Sequence, residues 1–277
     1  MAITAAEVNK LRQITGSGIM DCKNALIEAD GDIEKAIDVL RKKGQKVAAK
    51  RADRSANEGY VVAKVNKEHT CGVALMLNCE TDFVGKTSDF IECAESIIDF
   101  AIANKVNNLQ QLFDSKLASN RTVQELLVDI TGKTGEKIEL NQFEVIEKPF
   151  VSIYNHNGNR LATLVGFNKT TSNLDVAGHE IAMQIAAMNP ISVSEKDVPQ
   201  DIIERELDIA REQIRNEGKP ENMVDKIAQG KLNKFFKENT LINQDFIRDS
   251  KKTVGQYLKE IDPELRIEQF YRLRLGE

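Results

Sequence analysis

The sequence of 277 residues predicts an α+β protein, and three observations lead to this fold class. Apolar residues make up 41% of the chain and charged residues 29%, a balance typical of folded globular proteins rather than of disordered ones. Apolar residues recur at helical spacing over the first fifty residues, and the pattern becomes strand-like from residue 58. The order of hairpin, helix and final strand then occurs twice, which predicts a body of two similar lobes.

Three short helices are predicted over residues 4–50. The first begins with the capping-box pattern Thr4-Ala-Ala-Glu7, and the second covers residues 19–29. Asp32 is the expected N-cap of the third helix, which we expect to end at Gly44 because glycine favours helix termination. Three helices within so short a segment are typical of a bundle of the ubiquitin-associated type, whose usual role is to hold another protein.

The first 54 residues also differ from the rest of the chain in charge. They contain eleven basic and eight acidic side chains, whereas the whole chain has 38 Lys and Arg against 43 Asp and Glu, a net charge of −5. This distribution excludes a uniformly basic nucleic-acid surface and favours an acidic protein partner. We assign residues 1–54 to a helical docking domain, in which residues 46–54 fit either a continuation of the third helix or a linker.

The first lobe is predicted over residues 55–147. Two strand-like segments separated by a polar connection form a hairpin, a helix with one apolar face follows, and a return to alternation marks the third strand. A more polar helical stretch lies between that helix and the third strand. In chain order these elements are predicted at residues 59–65, 71–78, 89–103, about 107–131 and 136–146.

The second lobe, residues 148–277, repeats this plan. The turn sequence His156-Asn-Gly-Asn159 indicates its hairpin, because Asn-Gly readily adopts the positive φ angles of a tight turn. The apolar patterns that follow predict a helix and a closing strand. These elements are predicted at residues 150–154, 161–167, 175–188 and 265–275.

A helical finger is inserted into the second lobe at residues 199–231. Its first helical segment carries apolar residues at spacings of 4, 3 and 4, a short seam typical of an antiparallel coiled-coil hairpin. Because most of its surface is charged, we expect the finger to project from the body. The seam consists of Ile203, Leu207, Ala210 and Ile214, and the facing residues of the second segment are Val224, Ile227 and Ala228.

Enzyme chemistry has little support in the sequence. Its four cysteines show no CxxC pairing, and none of its three histidines stands at metal-ligand spacing from another, which argues against a zinc site or a redox dithiol. No nucleophile-elbow, Walker or dinucleotide-binding motif occurs in the sequence. We therefore expect no cofactor, no direct nucleotide binding by this chain and no covalent chemistry.

Membrane and secretory segments are not expected either. No apolar run approaches the roughly 20 residues of a membrane helix. The N-terminal sequence MAITAAEVNK lacks the basic patch and apolar core of a secretory signal and the Arg- and Ser-rich start of an organelle transit peptide. These features predict a cytoplasmic protein.

One connection departs from the polar pattern of the others. Residues 78–84 read Asn-Cys-Glu-Thr-Asp-Phe-Val and place Phe83 and Val84 directly after a strand, where a polar loop is expected. In one interpretation Phe83 fills the junction between hairpin and helix, and Asp82 is the helix N-cap. In the other, the loop presents an aromatic anchor beside a carboxylate, which wedges into a partner and disturbs a metal or phosphate site there.

Two longer segments are specific enough to identify a family. They are residues 8–26, which read VNKLRQITGSGIMDCKNAL, and residues 78–84. Shorter segments that fit the same family lie at residues 31–44, 181–190, 218–221 and 253–256. Together they closely resemble the elongation factor Ts family, the nucleotide-exchange factors for the translational GTPase elongation factor Tu, and the resemblance covers almost the whole chain.

The resemblance implies a mechanism and a set of contact residues. In that family the Thr-Asp-Phe-Val motif enters the GTPase near its magnesium and phosphate site, which displaces magnesium and promotes GDP release. The implied partner is elongation factor Tu in its GDP-bound and nucleotide-free forms, and in some members the finger pairs with a second copy to give a homodimer. The implied contact residues are Thr81, Asp82, Phe83 and Val84 in the motif and Arg12, Ile19, Met20 and Arg51 for docking of the N-terminal domain.

Several positions differ from the family pattern. Gly85 and Thr87 stand where Ala and Asn are common, so we expect a looser start of the following helix. Gln184 replaces a frequent His of the second-lobe helix, so no contact of that His is carried over, and Lys137 replaces the Asn of a Gly-Glu-Asn stretch. The sequence ends directly after its last strand, where some members continue into a further helix that embraces the partner.

Two other functions fit parts of the sequence. A ubiquitin-associated-type adaptor would form a stable complex without accelerating GDP release. A single-strand RNA-binding protein needs basic grooves and stacking aromatic residues. The acidic balance, the absence of Trp and an aromatic content of 5% make RNA binding the least favoured function.

Overall fold

The computed structural model describes residues 3–117 and 121–277, and it confirms the α+β class. The N-terminal part holds α1 (Ala5–Thr15), α2 (Ile19–Glu28) and α3 (Ile33–Lys50). The next elements are β1 (Glu58–Val65), β2 (Cys71–Cys79), α4 (Asp82–Gly85), α5 (Ser88–Ala103), α6 (Leu109–Asp114), α7 (Val123–Thr134) and β3 (Glu139–Glu147). The last elements are β4 (Phe150–Asn155), β5 (Leu161–Phe167), α8 (Leu174–Met188), α9 (Gln200–Asn216), α10 (Glu221–Asn239), β6 (Asp245–Phe246), β7 (Asp249–Thr253), α11 (Val254–Ile261) and β8 (Ile267–Arg274).

Two antiparallel sheets of three strands form the centre of the fold. The first sheet has the strand order β1-β2-β3 and the second has the order β4-β5-β8, which confirms the repeated hairpin and closing strand. In the first sheet Glu58 of β1 lies opposite Cys79, and Glu139 of β3 lies opposite Asn78. The chain segment that follows Cys79 therefore leaves the central strand of its sheet.

The two sheets pack against each other, and helices cover their outer faces. Alternate residues of β2 point to different cores, so both faces of this strand are buried. Ala74 and Met76 face the second sheet, whereas Leu75 and Leu77 face the first-lobe helices. On the other side, α8 and α11 cover the second sheet. The two predicted lobes share the layer between the sheets, and their boundary near residue 147 stays a prediction.

Helix α3 is longer than predicted. It continues through Gly44 to Lys50, so the prediction that Gly44 ends the helix is wrong. Gly44 is buried against α7, where an added Cβ atom would lie only 2.8 Å from the carbonyl oxygen of Val128. The glycine therefore allows two helices to approach closely rather than ending one of them. The similarity of these three helices to a ubiquitin-associated domain stays a prediction.

Two further parts of the chain differ from the prediction. The stretch predicted as helical over residues 107–131 contains the two helices α6 and α7, and residues 118–120 within it lie outside the described residues. Residues 232–264, for which no element was predicted, contain the end of α10, the hairpin of β6 and β7, and α11. Thr253 caps α11 in a capping box with Gln256, a pattern that is visible in the sequence.

The finger consists of α9 and α10. Its second helix extends to Asn239, beyond the predicted end at residue 231, because its last turns pack on the body end of α9. The finger thus has an outer seam and a base, and its description as a coiled coil stays a prediction. The outer seam joins Leu207, Ala210 and Ile214 to Val224, Ile227 and Ala228, and the base joins Val198, Ile202, Ile203 and Leu207 to Leu232, Phe235 and Phe236.

Candidate partner-binding site

The segment that the sequence distinguishes, residues 80–84, lies at the end of the central strand of the first sheet. Helix α4 begins at Asp82 and makes a single turn. Thr81 is its N-cap, because the Thr81 hydroxyl accepts a hydrogen bond from the N–H of Val84 at 3.4 Å. The expectation that Asp82 is the N-cap is wrong, since Asp82 is already the first helical residue.

Phe83 is held in solvent. Its exposed fraction is 81%, the highest of the large apolar side chains in the described part of the chain. The next residue, Val84, packs against the core of the first lobe instead. The interpretation of Phe83 as a core plug is therefore wrong, because α4 turns Val84 inward and the aromatic ring outward. An exposed ring on a fixed turn is available as an anchor for a partner.

Asp82 lies beside this ring and forms an ion pair within its own turn. The Nζ atom of Lys86 lies 2.6 Å from Oδ2 of Asp82. This contact holds the pKa of Asp82 below its ordinary value, and Arg160 in the turn after β4 adds a smaller effect in the same direction. The carboxylate is therefore ionised at neutral pH and remains about half exposed. Such a group can compete with phosphate oxygens for a hard cation.

A second carboxylate holds the backbone in front of α4. Oε2 of Glu136 accepts hydrogen bonds from the N–H groups of Glu80 and Thr81 at 3.1 and 3.0 Å, and Oε1 accepts one from the Thr81 hydroxyl at 2.6 Å. In return, the carboxylate of Glu80 accepts a hydrogen bond from the N–H of Lys137 at 2.7 Å. The side chain at position 137 is not needed for this contact, because the contact uses the backbone. Sequence reasoning missed the role of Glu136, since its partners lie more than fifty residues away along the chain.

Arg51, predicted as a docking residue, is engaged within the chain. It follows α3, and its guanidinium donates to both carboxylate oxygens of Glu80. The side chain is still about one-third exposed. The structure therefore brings Arg51 to the same segment as the Thr-Asp-Phe-Val motif.

The other predicted docking residues lie on α1 and α2. Ile19 and Met20 at the start of α2 have exposed fractions of 51% and 62%, and Arg12 on α1 is exposed as well. Ile27 is another exposed apolar residue, and it follows Met20 by seven positions on the same face of α2. Sequence reasoning missed Ile27, although the seven-residue spacing could have indicated it. Ile19, Met20 and Ile27 together give α2 an exposed apolar surface.

Gln184, the residue that replaces a frequent His, is fully buried in α8. Its Nε2 donates to Oε1 of Gln244 at 3.1 Å and to the carbonyl oxygen of Asp245 at 3.2 Å, and its Oε1 accepts from the N–H of Ile247 at 2.8 Å. These bonds fix the hairpin of β6 and β7 against α8. Gln184 therefore has a structural role in this chain.

Thr87 and Gly85 occupy different elements. Thr87 is the N-cap of α5, a position at which Thr is favoured, although its hydroxyl donates back to the carbonyl oxygen of Val84. Gly85 is buried in α4, where an added Cβ atom would lie 3.2 Å from the carbonyl oxygen of Gly59. The expected looseness at the start of α5 stays a prediction.

Across residues 3–117 and 121–277, no group of three or more His, Cys, Asp or Glu side chains is placed to hold a metal ion. Burial raises the pKa of the Cys79 and Cys93 thiols to about 12, which keeps both thiols protonated at neutral pH. No helix of the described chain has the length and apolar content needed to cross a bilayer.

The chain is similar to known proteins over almost its whole length. The model of a family described as Elongation factor TS matches residues 80–277. The chain is 50% identical to the Elongation factor Ts of Christiangramia forsetii and 48% identical to that of Flavobacterium psychrophilum, in each case over 99% of both chains. It is 49% identical to the Elongation factor Ts of Amoebophilus asiaticus over the full length of both chains. These similarities include both the N-terminal helices and the segment around Phe83.

Proposed function

Since the chain belongs to the elongation factor Ts family, we propose that it is a guanine-nucleotide exchange factor. It binds elongation factor Tu in the cytoplasm and promotes the release of GDP during translation elongation. It acts as a binding catalyst and makes or breaks no covalent bond. The proposed domains are a helical docking domain at residues 1–54, a first lobe at 55–147 that carries the motif, and a second lobe at 148–277 that carries the finger.

The observation that supports this proposal most strongly is the exposure of Phe83. A soluble domain gains nothing for its own stability from an aromatic ring that remains 81% exposed. Anchors of this kind contribute much of the binding energy at protein interfaces when a partner buries them. The ionised carboxylate of Asp82 stands next to the ring, so that one insertion brings an apolar wedge and a negative charge to the same place.

The proposed mechanism is thermodynamic linkage. A factor that binds nucleotide-free elongation factor Tu more tightly than the GDP form must weaken GDP binding by the same ratio. Each tenfold weakening needs about 1.4 kcal/mol of such preference. We propose that Phe83 and Asp82 supply this preference by entering the GTPase near its magnesium and phosphate site, where they displace magnesium.

The N-terminal helices supply a separate contact in this proposal. Met20 and Ile19 offer apolar surface and Arg12 offers a positive charge, which together suit a partner helix of mixed character. Arg51, at the end of α3, contacts the partner beside the motif instead, because its guanidinium is bound to Glu80. A contact made by the N-terminal helices with equal strength in all nucleotide states increases affinity for the GTPase but does not by itself accelerate GDP release.

The experiment that tests the proposal is the release of labelled GDP from the cognate elongation factor Tu. Release should accelerate in proportion to added protein until the GTPase is saturated. A stable complex with an unchanged rate of GDP release would select the adaptor function instead. Removal of magnesium by a chelator should narrow the difference between the rates with and without the factor, because the proposed displacement step has then already taken place.

A further inference from the structure

We infer that Glu136 is a positioning residue that orients the Phe83 anchor. Its carboxylate fixes the backbone of residues 80 and 81 and thereby the direction in which α4 presents the aromatic ring. This inference rests on the proposed function, because it names the group that orients the proposed anchor. Glu136 itself lies outside the motif, in the connection between α7 and β3.

Glu80 and Thr81, whose backbone Glu136 binds, lie beyond the paired residues of β2 and β3. Pairing between β2 and β3 ends at Asn78 and Glu139, so the backbone of Glu80 and Thr81 continues beyond the ladder. Where a neighbouring strand would otherwise pair, the Glu136 carboxylate accepts hydrogen bonds from two N–H groups and one hydroxyl, at 2.6–3.1 Å. Hydrogen bonds to an ionised acceptor are about twice as strong as neutral ones. Three convergent donors also define an orientation, which a single bond does not.

The backbone on both sides of Glu136 takes part in this contact. Gly135 ends α7 with a φ angle of 70°, so the chain turns sharply directly before Glu136. The next residue, Lys137, donates its N–H to the carboxylate of Glu80. Each of the two glutamates therefore binds the backbone of the segment that carries the other. Loss of one carboxylate leaves half of this reciprocal arrangement in place.

The direction of the Phe83 ring depends on how α4 is attached, because the ring itself is exposed and α4 has only one turn. The N-cap of that turn is Thr81, the same residue whose hydroxyl donates to Glu136. Val84 attaches the other side of the turn to the core. Without the Glu136 carboxylate, α4 keeps its attachments at Val84 and Gly85. It loses the three hydrogen bonds that orient the backbone directly before it, so the ring no longer has one fixed direction.

The test compares Glu136→Ala and Glu136→Gln with a matched variant of the same residue type. Glu125 is that control, because its carboxylate also accepts a backbone N–H, that of Thr122 at 2.9 Å, but does so at the far end of α7. Three properties are measured: amide hydrogen exchange of Glu80 and Thr81 in the free protein, the melting temperature, and the rate of GDP release from elongation factor Tu over a range of factor concentrations. The same rates are measured with Phe83→Ala and with the double variant of Phe83 and Glu136.

We expect Glu136→Ala to accelerate amide exchange at residues 80 and 81 at least tenfold. It should lower the saturating rate of GDP release at least tenfold, with little change in the half-saturating concentration. The double variant should release GDP no more slowly than Phe83→Ala alone, because Glu136 acts through Phe83. Glu136→Gln keeps one oxygen acceptor and should recover part of the rate. Glu125→Ala should lower the melting temperature and leave the exchange rate per folded molecule unchanged.

The Phe83 and Glu136 variants distinguish loss of the anchor from loss of its orientation. If Phe83→Ala slows GDP release but both Glu136 variants release it at the wild-type rate per folded molecule, the inference is overturned and the proposed function stands. Additive losses in the double variant also overturn the inference, since Glu136 would then act independently of the ring. If Phe83→Ala itself leaves GDP release unchanged, the proposed anchor is wrong and the inference is overturned with it.

Discussion

Gly44 of α3 and Gly132 of α7 face each other so closely that a Cβ atom added to Gly132 would lie 3.1 Å from the Cα atom of Gly44. This contact joins the N-terminal helices to the first lobe. It also places the end of α3, and with it Arg51, within reach of Glu80. The packing of two backbones thus connects the predicted docking surface to the segment that carries Phe83.

The first prediction concerns this close approach. Gly44→Ala should lower the free energy of unfolding by about 1–3 kcal/mol, because the added methyl group meets the backbone of α7 and overpacking typically costs this much. Gly230→Ala is the matched control, since Gly230 also lies inside a helix but has open space around it. It should raise the free energy of unfolding by about 0.5–1 kcal/mol through helix propensity alone. Urea unfolding measures both values, and equal signs for the two variants would contradict the packing role of Gly44.

The second prediction concerns the pH dependence of stability at Glu80. The N–H of Lys137 holds the pKa of Glu80 below its ordinary value, the guanidinium of Arg51 adds to this effect, and partial burial opposes it. A carboxyl whose pKa is lower in the folded state stabilises the fold above its unfolded pKa and loses that contribution as the pH falls. Glu80→Gln should therefore destabilise the protein at neutral pH, and the difference from wild type should shrink as the pH falls below about 4.5.

Glu144 provides the control for this measurement, because burial raises its pKa instead. For such a carboxyl the contribution to stability is present below the unfolded pKa and is lost as the pH rises through the folded pKa. The difference between Glu144→Gln and wild type should therefore change with pH in the opposite direction. Thermal unfolding between about pH 3 and pH 7 tests both signs. A pH-independent effect of Glu80→Gln would show that the charge at this position does not contribute.

The third prediction concerns the exposed apolar surface of α2. Met20→Ala should increase the factor concentration needed for half-maximal GDP release, because this contact adds affinity without distinguishing nucleotide states. The saturating rate and the melting temperature should change little, since the side chain is 62% exposed in the free protein. Met223→Ala on the finger, with an exposed fraction of 45%, is the methionine control. It should change neither the half-maximal factor concentration nor the saturating rate of GDP release.

The fourth prediction concerns the finger. Replacement of residues 209–227 by a short Gly-Ser linker removes most of the outer seam and keeps the basal cluster around Leu232 and Phe236. The melting temperature should stay nearly constant, because loop length far from the core costs little. GDP release per molecule should remain within a few-fold of wild type. Sedimentation then shows whether the finger joins two copies, since a dimer of the wild type should become a monomer in this variant.

Much of the fold follows from periodicity in the sequence. The strand-like apolar segments at β1 and β2 and the helical spacing over α5 and α8 predict elements close to those observed. The prediction for Gly44 is wrong because glycine can either end a helix or allow close packing, and only the position of α7 shows that close packing applies here. Helix α11 was not predicted, although its capping box at Thr253 could have indicated it.

The candidate site was predictable only in part. The sequence distinguished residues 78–84 but left open whether Phe83 is buried, because a single turn can direct either Phe83 or Val84 inward. Which of the two side chains points inward depends on the core of the first lobe, and in the structure Val84 packs against that core. Glu136 could not be found from local sequence, since its role arises from tertiary contacts with residues 80 and 81.

In the proposed mechanism the exposed ring of Phe83 drives nucleotide exchange. The most direct test is the rate of labelled GDP release from elongation factor Tu at saturating Phe83→Ala, compared with Val176→Ala, which removes another apolar side chain that is 64% exposed. An anchor contact can be worth 2 kcal/mol or more, so Phe83→Ala should slow release by about thirtyfold. Its melting temperature should match that of wild type, and Val176→Ala should release GDP at the wild-type rate. A Phe83→Ala protein that is folded and releases GDP as fast as the wild type would contradict this mechanism.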